Sequence, residues 1–342
     1  MKSKNILIIE DEIGPREALR IILKNSYEVE TVATGKQALM LLEKTGFDLI
    51  TIDLKLPDIL GVKLLETLKT RFPKTEFMVI TGYGSYDNLV EIYMMGVPLV
   101  FIKPFEINDL SLGIQHAFHR KTILNHIDDL VDWLQKSSLE KGSLLKKSDK
   151  KTLEKIKKQI LDIEQLTGFY SGHGNNVLEI AAKMFAMLAV PKKEFKVLEL
   201  ACYLHHLGKM GICYPISIKD QSLTTAEQIF LKTYPHQTAK QLKSCNLSED
   251  FLQILLHCEE HYDGTGYPSG LKGEQIPLMS QLLHFSNHLL SLIRNNSFYS
   301  KKSHFLDITE LIVSDKGKAL SPLLVDVYLD INKELFQEIQ MI

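Results

Sequence analysis

Leu49-Ile50-Thr51-Ile52-Asp53 is a short apolar run that stops on a carboxylate. Its lack of alternation reads as a strand buried on both faces, the pattern of a parallel sheet. Three similar runs accompany it. Ile6-Leu7-Ile8-Ile9 ends on Glu10 and Asp11, Phe77-Met78-Val79-Ile80 on Thr81, and Val100-Phe101-Ile102 on Lys103-Pro104. In an open parallel sheet the residues just beyond the strand carboxyl ends share one edge. Three carboxylates, a hydroxyl and an ammonium gathered there suit a hard cation and a phosphoryl group. An α/β doubly wound domain is expected, with Asp53 at the centre of its site.

Composition sets wider bounds. A chain of 342 residues is long enough for about two domains with separate cores. Lysine plus arginine (40) nearly balances aspartate plus glutamate (42), so no global field argues for nucleic acid, and no DNA partner is expected. Cys202, Cys213, Cys245 and Cys258 are isolated from one another, which fits reduced thiols in a cytoplasm. No apolar stretch approaches the roughly 18 residues of a membrane span. The N-terminus runs straight into the first strand, so neither a signal peptide nor a membrane anchor is expected.

On the strand-end residues just named, residues 4–120 resemble a response-regulator receiver domain. The resemblance implies that Glu10, Asp11 and Asp53 hold Mg²⁺ with the backbone carbonyl of Lys55. It makes Asp53 the phosphoacceptor for a sensor histidine kinase, with Thr81 and Lys103 bonding the acyl phosphate. Phosphoryl transfer needs mainly in-line positioning and neutralisation of the equatorial oxygens, which this set supplies. One position departs from the family. Three residues before Lys103, where receivers usually carry an aromatic ring, stands Val100, with Phe101 beside it.

After about Phe105 the strand signal fades. Ile107–Arg120 reads as the last receiver helix, and Leu124, Ile127, Leu130, Val131 and Leu134 continue helical spacing around Trp133, the only tryptophan. Lysines dominate from Lys136 to Lys158, the mark of a solvated helical linker or of a signalling helix that pairs in a homodimer. The expected organisation is a receiver at 1–122, a linker at 123–164 and an all-α output domain at 165–342.

Nine of the 12 histidines fall between His173 and His304, a clustering that points to metal chemistry. Two segments carry a resemblance: Leu204-His205-His206-Leu207-Gly208-Lys209, and His261-Tyr262-Asp263-Gly264-Thr265-Gly266-Tyr267-Pro268 with the run to Pro277. Over about residues 165–295 they are similar to the HD-GYP domain, a helical phosphohydrolase whose active members cleave cyclic di-GMP at a two- or three-metal centre. Transferred residue by residue, the family's site is altered. His173 and His205 are kept. The naming aspartate, which would bridge two metals, is His206. Further ligand positions are Tyr234, Cys258, Glu259 and Asn287, with Glu260 as the acid of the GYP segment. Lys209 is kept as a candidate phosphate contact. Phenol and amide are poor replacements for anionic ligands at such a centre.

These residues lead to a two-component response regulator whose HD-GYP-like domain is a pseudoenzyme signalling by protein interaction. No metal is expected in that domain. The intact Gly266-Tyr267-Pro268 loop is an architectural turn, a docking surface for a GGDEF-domain protein, as the resemblance implies, or both at once. Two alternatives stand beside this: a cyclic di-GMP phosphodiesterase with an altered metal set drawn from His205, His206, His257, Cys258, Glu259 and His261, and a non-hydrolysing cyclic di-GMP binder.

Overall fold

The computed structural model describes residues 4–82, 86–137, 150–168, 171–219, 222–295 and 301–339. They form two compact units. The first is Met1–Asn125 together with Gly211–Leu231, and the second is His126–Met210 together with Lys232–Ile342.

The first unit holds a five-stranded sheet of β1 (Asn5–Ile9), β2 (Glu28–Val32), β3 (Leu49–Ile52), β4 (Glu76–Thr81) and β5 (Val100–Ile102), in the order β2-β1-β3-β4-β5. All neighbours are parallel. Helices α1 (Ile13–Leu23), α2 (Gly35–Leu42), α3 (Gly61–Arg71), α4 (Tyr86–Met94) and α5 (Ile107–Ser137) connect or follow the strands. The unbroken apolar runs have the expected cause, since both faces of the sheet are covered. Leu7, Ile9, Ile50, Ile52 and Val79 join one core cluster, and Ile6, Ile8, Leu49, Met78 and Ile80 join the other. Side chains alternate along a strand, so adjacent residues supply opposite cores.

Register puts the acidic residues together. Ile9 pairs with Ile52 and Ile52 with Val79, so Glu10 and Asp53 leave neighbouring strands at one edge. The chain then packs tightly behind Asp53. A Cβ on Gly61 would come within 2.4 Å of Leu54 Cα and 2.6 Å of the Asp53 carbonyl oxygen. Glycine at that point lets α3 start directly beneath the loop that follows Asp53.

α5 is one helix from Ile107 to Ser137, about 46 Å long at 1.5 Å per residue. The receiver's last helix therefore continues without a break into the expected linker. The lysine-rich stretch 138–149 lies outside the described residues.

The second unit is helical: α6 (Lys150–Thr167), α7 (His173–Met187), α8 (Phe195–Leu204), α9 (Leu207–Gly211, whose last residue falls in the first unit), α11 (Tyr234–Leu242), α12 (Glu249–Leu256), α13 (Leu278–Asn295), α14 (Lys301–Ser314) and α15 (Pro322–Ile339). α10 (Thr225–Leu231) belongs to the first unit. Ile180, Met184, Leu198, Ala201, Leu204, Leu283, Phe285 and Tyr328 are buried in the second unit, with Phe285 and Tyr328 rings 5.7 Å apart. Lys155 Nζ stands 4.3 Å over the Trp133 ring. No described helix is long and apolar enough to cross a membrane.

The close approach at Gly61 gives a controlled test. Gly61→Ala forces backbone movement behind Asp53 and should cost about 1–3 kcal/mol, the usual range for overpacking. Thermal melts should show a midpoint several degrees lower, whereas Gly46→Ala, whose Cβ would meet nothing within 4 Å, should melt like the parent.

Candidate functional site

The strand-end site of the first unit is assembled around Lys103. Its Nζ lies 2.6 Å from Glu10 Oε2 and 2.6 Å from Asp53 Oδ2. The Lys55 amide donates to Asp53 Oδ1 at 2.9 Å, which fixes the carboxylate plane. Asp11 follows Glu10, and Arg16 holds that turn by donating to the Glu10 and Asp11 carbonyls at 2.8 and 3.0 Å. Thr81 is fully buried at the end of β4, where its carbonyl accepts from the Lys103 amide at 2.8 Å. Burial raises the Glu10 carboxyl pKa, and the Lys103 hydrogen bond only partly offsets this. Burial also pulls down on the Lys103 ammonium, but its bonds to Asp53 and Glu10 outweigh that and leave its pKa raised. An acidic pair sharing one ammonium suits a divalent cation and an incoming phosphoryl group, so the residues fit Mg²⁺.

Val100 and Phe101 divide between the two faces of the sheet. Val100 packs with the Leu7–Ile52 cluster, and Phe101 with the Ile6–Met78 cluster and, edge-on at 6.0 Å, with Phe105. The aromatic ring of this strand is thus on the face opposite to the residue three before Lys103.

The second unit brings together every residue of the altered HD-GYP set. His173 opens α7, and His205 and His206 follow α8. All three are buried, and one ligand atom from each lies within 4.8 Å of the others. The contacts fix the tautomers of His205 and His173. His205 Nδ1 is 2.9 Å from the Cys202 carbonyl, which can only accept, so Nδ1 carries the proton and Nε2 accepts. His173 Nε2 therefore donates to His205 Nε2 at 3.2 Å. His173 Nδ1 then accepts from Arg294 at 3.3 Å. His206 stacks on His173, ring centroids 4.5 Å apart and 11° from parallel, and meets Tyr234 edge-on at 5.2 Å.

Burial lowers the pKa of all three imidazoles and keeps them neutral. For His205 the value falls to about 4. For His173 and His206 it falls well below the ordinary range, with neighbouring imidazoles, Arg294 and Lys209 adding to the effect. Lys209 Nζ lies 5.6 Å from the Tyr234 ring centroid.

The remaining ligand positions are bonded to one another. The Tyr234 hydroxyl donates to Glu259 Oε1, and Asn287 Nδ2 approaches the same oxygen at 3.5 Å. Cys258 Sγ is 3.9 Å from the Tyr234 hydroxyl, and burial raises its thiol pKa. Glu260 serves the following loop, accepting from the Ser269 and Leu271 amides at 2.7 and 3.1 Å.

The metal set that included His257 and His261 needs correction. α12 ends at Leu256, so both histidines lie beyond it. His257 bonds Glu260 and Gln253, and His261 bonds Thr265, which removes both from the imidazole cluster. The Gly266-Tyr267-Pro268 loop is held closely: the Tyr267 amide donates to the Glu259 carbonyl at 3.1 Å, and a Cβ on Gly266 would come within 2.1 Å of the His261 nitrogen. Pro268, Ser269 and Gly270 are nevertheless exposed.

Two contributors were missed. Arg294 lies seven residues after Asn287 on α13, hence on the same face, a relation that the helix itself reveals. His284 puts Nδ1 3.2 Å from the Cys258 carbonyl and 3.9 Å from Glu259 Oε2.

A two-metal centre does not fit this donor set. Three neutral imidazoles could hold one borderline-soft ion. The family's bridging carboxylate position, however, is an imidazole, and Glu259 is engaged by a phenol and an amide.

Comparison with known proteins matches the family model described as response regulator receiver domain at residues 6–115 and that described as HD domain at residues 151–315. A cyclic di-GMP phosphodiesterase of Thermotoga maritima is 24% identical over 344 residues, covering 96% of this chain and 91% of that protein. The cyclic di-GMP phosphodiesterase response regulator RpfG of Xanthomonas campestris pv. campestris is 23% identical over 336 residues, covering 95% and 87%. Sporulation initiation phosphotransferase F of Bacillus subtilis is 32% identical over 116 residues, covering 34% of this chain and 94% of that protein.

The strand-end geometry predicts a phosphoacceptor that mass measurement can identify. Incubation with a small phosphodonor and Mg²⁺ should add one phosphoryl mass to the parent chain and none to Asp53→Asn. Lys103→Ala should still be modified but should respond weakly in any conformational readout.

Proposed function

We propose that this chain, which belongs to the response-regulator receiver family and carries an HD domain behind its receiver, signals without hydrolysis. Phosphorylation of Asp53 switches it, and the HD domain acts through protein interaction. In the receiver, an Asp53 carboxylate oxygen attacks the phosphorus of a phosphohistidine on a sensor kinase. The P–O bond forms as the P–N bond breaks, and the imidazole leaves with its electron pair. Glu10, Asp11 and Asp53 would hold Mg²⁺, which when bound neutralises charge on the phosphoryl oxygens. Lys103, already 2.6 Å from Asp53, is placed to follow the charge onto the acyl phosphate.

The observation that carries the non-hydrolytic reading is the engagement of Glu259 by Tyr234 and Asn287 beside three neutral imidazoles. A divalent cation there would face Arg294 and Lys209, whose charges already bear on His173 and His206. At ~6 Å and an effective dielectric of ~20, each such cation opposes a divalent ion by about 5 kcal/mol. A single carboxylate offsets one of them. Exposure of Pro268 to Gly270 supports a protein-docking role for that loop, with a GGDEF-domain protein as the partner to test first. The cationic pair also suits an anionic ligand, so cyclic di-GMP bound without cleavage accords with the same charges.

A second reading, a phosphodiesterase with an altered metal set, is favoured by the convergence of His173, His205 and His206 and by what the two long relatives are called. Turnover separates the two. Protein supplied in turn with Fe²⁺, Mn²⁺ and Zn²⁺, phosphorylated or not, should cleave cyclic di-GMP at least about a hundredfold more slowly than an intact HD-GYP enzyme. Such a loss is the upper end of that for one disturbed metal partner. Robust cleavage that disappears in His205→Ala would install the phosphodiesterase instead.

A further inference from the structure

Residues 211–231 lie within the HD-domain match, yet they pack with the receiver as part of the first compact unit. The packing is specific. The Phe230 ring is fully buried and stacks on Tyr93 of α4, centroids 5.8 Å apart and 22° from parallel. Tyr214, also buried, meets the rings of His116 and His119 on α5 at 5.8 and 5.4 Å. Arg120 joins three elements with one guanidinium. It pairs with Glu76 at the start of β4 at 2.6 Å, donates to the Gly96 carbonyl between α4 and β5 at 3.3 Å, and donates to the Gly211 carbonyl at 3.2 Å. Both members of the Arg120–Glu76 pair are buried, so neither can be released to water cheaply. Lys219 and Thr224 bond Glu227, which keeps the excursion folded on itself.

The elements that grip this excursion also carry the switch. β4 ends in Thr81, β5 leads to Lys103, and α4 is the next helix in sequence after Thr81. At its other end the excursion is joined by peptide bonds to the HD site. Lys209 precedes Gly211 by two residues, and Tyr234 follows Leu231 by three. The two flanks are themselves tied, since the Gly208 amide donates to Thr238 Oγ1 at 2.9 Å and that hydroxyl donates to the His205 carbonyl at 3.2 Å. A displacement of the excursion would therefore pull on both sides of one hydrogen-bonded unit, next to His205, Lys209 and Tyr234.

We infer that the excursion Gly211–Leu231 is the receiver's output element: the α4–β5–α5 side of the receiver holds it, and through its two ends the state of Asp53 reaches the HD site. This route does not depend on whether that site hydrolyses or only binds. It also differs from transmission along α5, which enters the second unit at His126, far in sequence from His205 and Tyr234.

Hydrogen–deuterium exchange on the full chain tests the inference, with beryllofluoride and Mg²⁺ standing in for the phosphoryl group on Asp53. In the parent, exchange should change by about fivefold or more, the low end of allosteric coupling, in the excursion and in both flanks (204–210 and 232–242). In Phe230→Ala the receiver strand ends should still respond while the flanks fall silent. A Tyr93→Cys/Phe230→Cys pair keeps the test open should Phe230→Ala fail to fold: reduced, its flanks should fall silent, and oxidised to a cross-link they should respond again. Flanks that respond as strongly in Phe230→Ala or in the reduced pair as in the parent, or that stay silent in the cross-linked pair, would overturn the inference. So would a parent chain whose excursion is unaffected by modification of Asp53.

Discussion

Among the described residues, Glu259 is the carboxylate whose charge bears on His205 and His284, and Tyr234 and Asn287 already engage it. The chemistry available to the HD domain depends on that allocation of negative charge. Imidazoles buried this deeply stay neutral, and neutral imidazoles can ligate a metal, so histidines alone decide nothing. What a two-metal centre needs besides them is an anion to screen the cations from each other. Here the bridging position is an imidazole, and Arg294 donates to His173 from the opposite side. The proton order along Arg294, His173, His205 and the Cys202 carbonyl is internally complete.

The receiver presents the converse arrangement. Glu10 and Asp53 share Lys103, and the surplus of carboxylates at one sheet edge invites a cation rather than repelling it. The same chain thus holds one site built for a hard cation and another whose side chains supply positive charge themselves.

How much of this could be read from sequence differed between the halves. Parallel strands buried on both faces have an unmistakable pattern, and a doubly wound sheet obliges their carboxyl ends to meet, so Glu10, Asp53 and Lys103 could be placed together from spacing alone. The helical half offered no such rule. His173, His205, Tyr234 and Glu259 come from four separate places in the chain, and only the His-His-Leu-Gly-Lys and Gly-Tyr-Pro segments, by resemblance, tied them to one site. Arg294 was hidden because its relation to Asn287 means something only once α13 is known to run unbroken to Asn295. The placement of Phe230 against Tyr93 was illegible for a different reason: a buried phenylalanine on an amphipathic helix does not declare which core it enters.

The account stands or falls on whether the HD domain retains a metal. Elemental analysis of the full chain, purified after expression with iron, manganese and zinc supplied, measures this directly. The charge arrangement predicts well under one tightly held transition-metal ion per chain, with no change in His205→Ala. One or more equivalents in the parent, lost in His205→Ala, would contradict it.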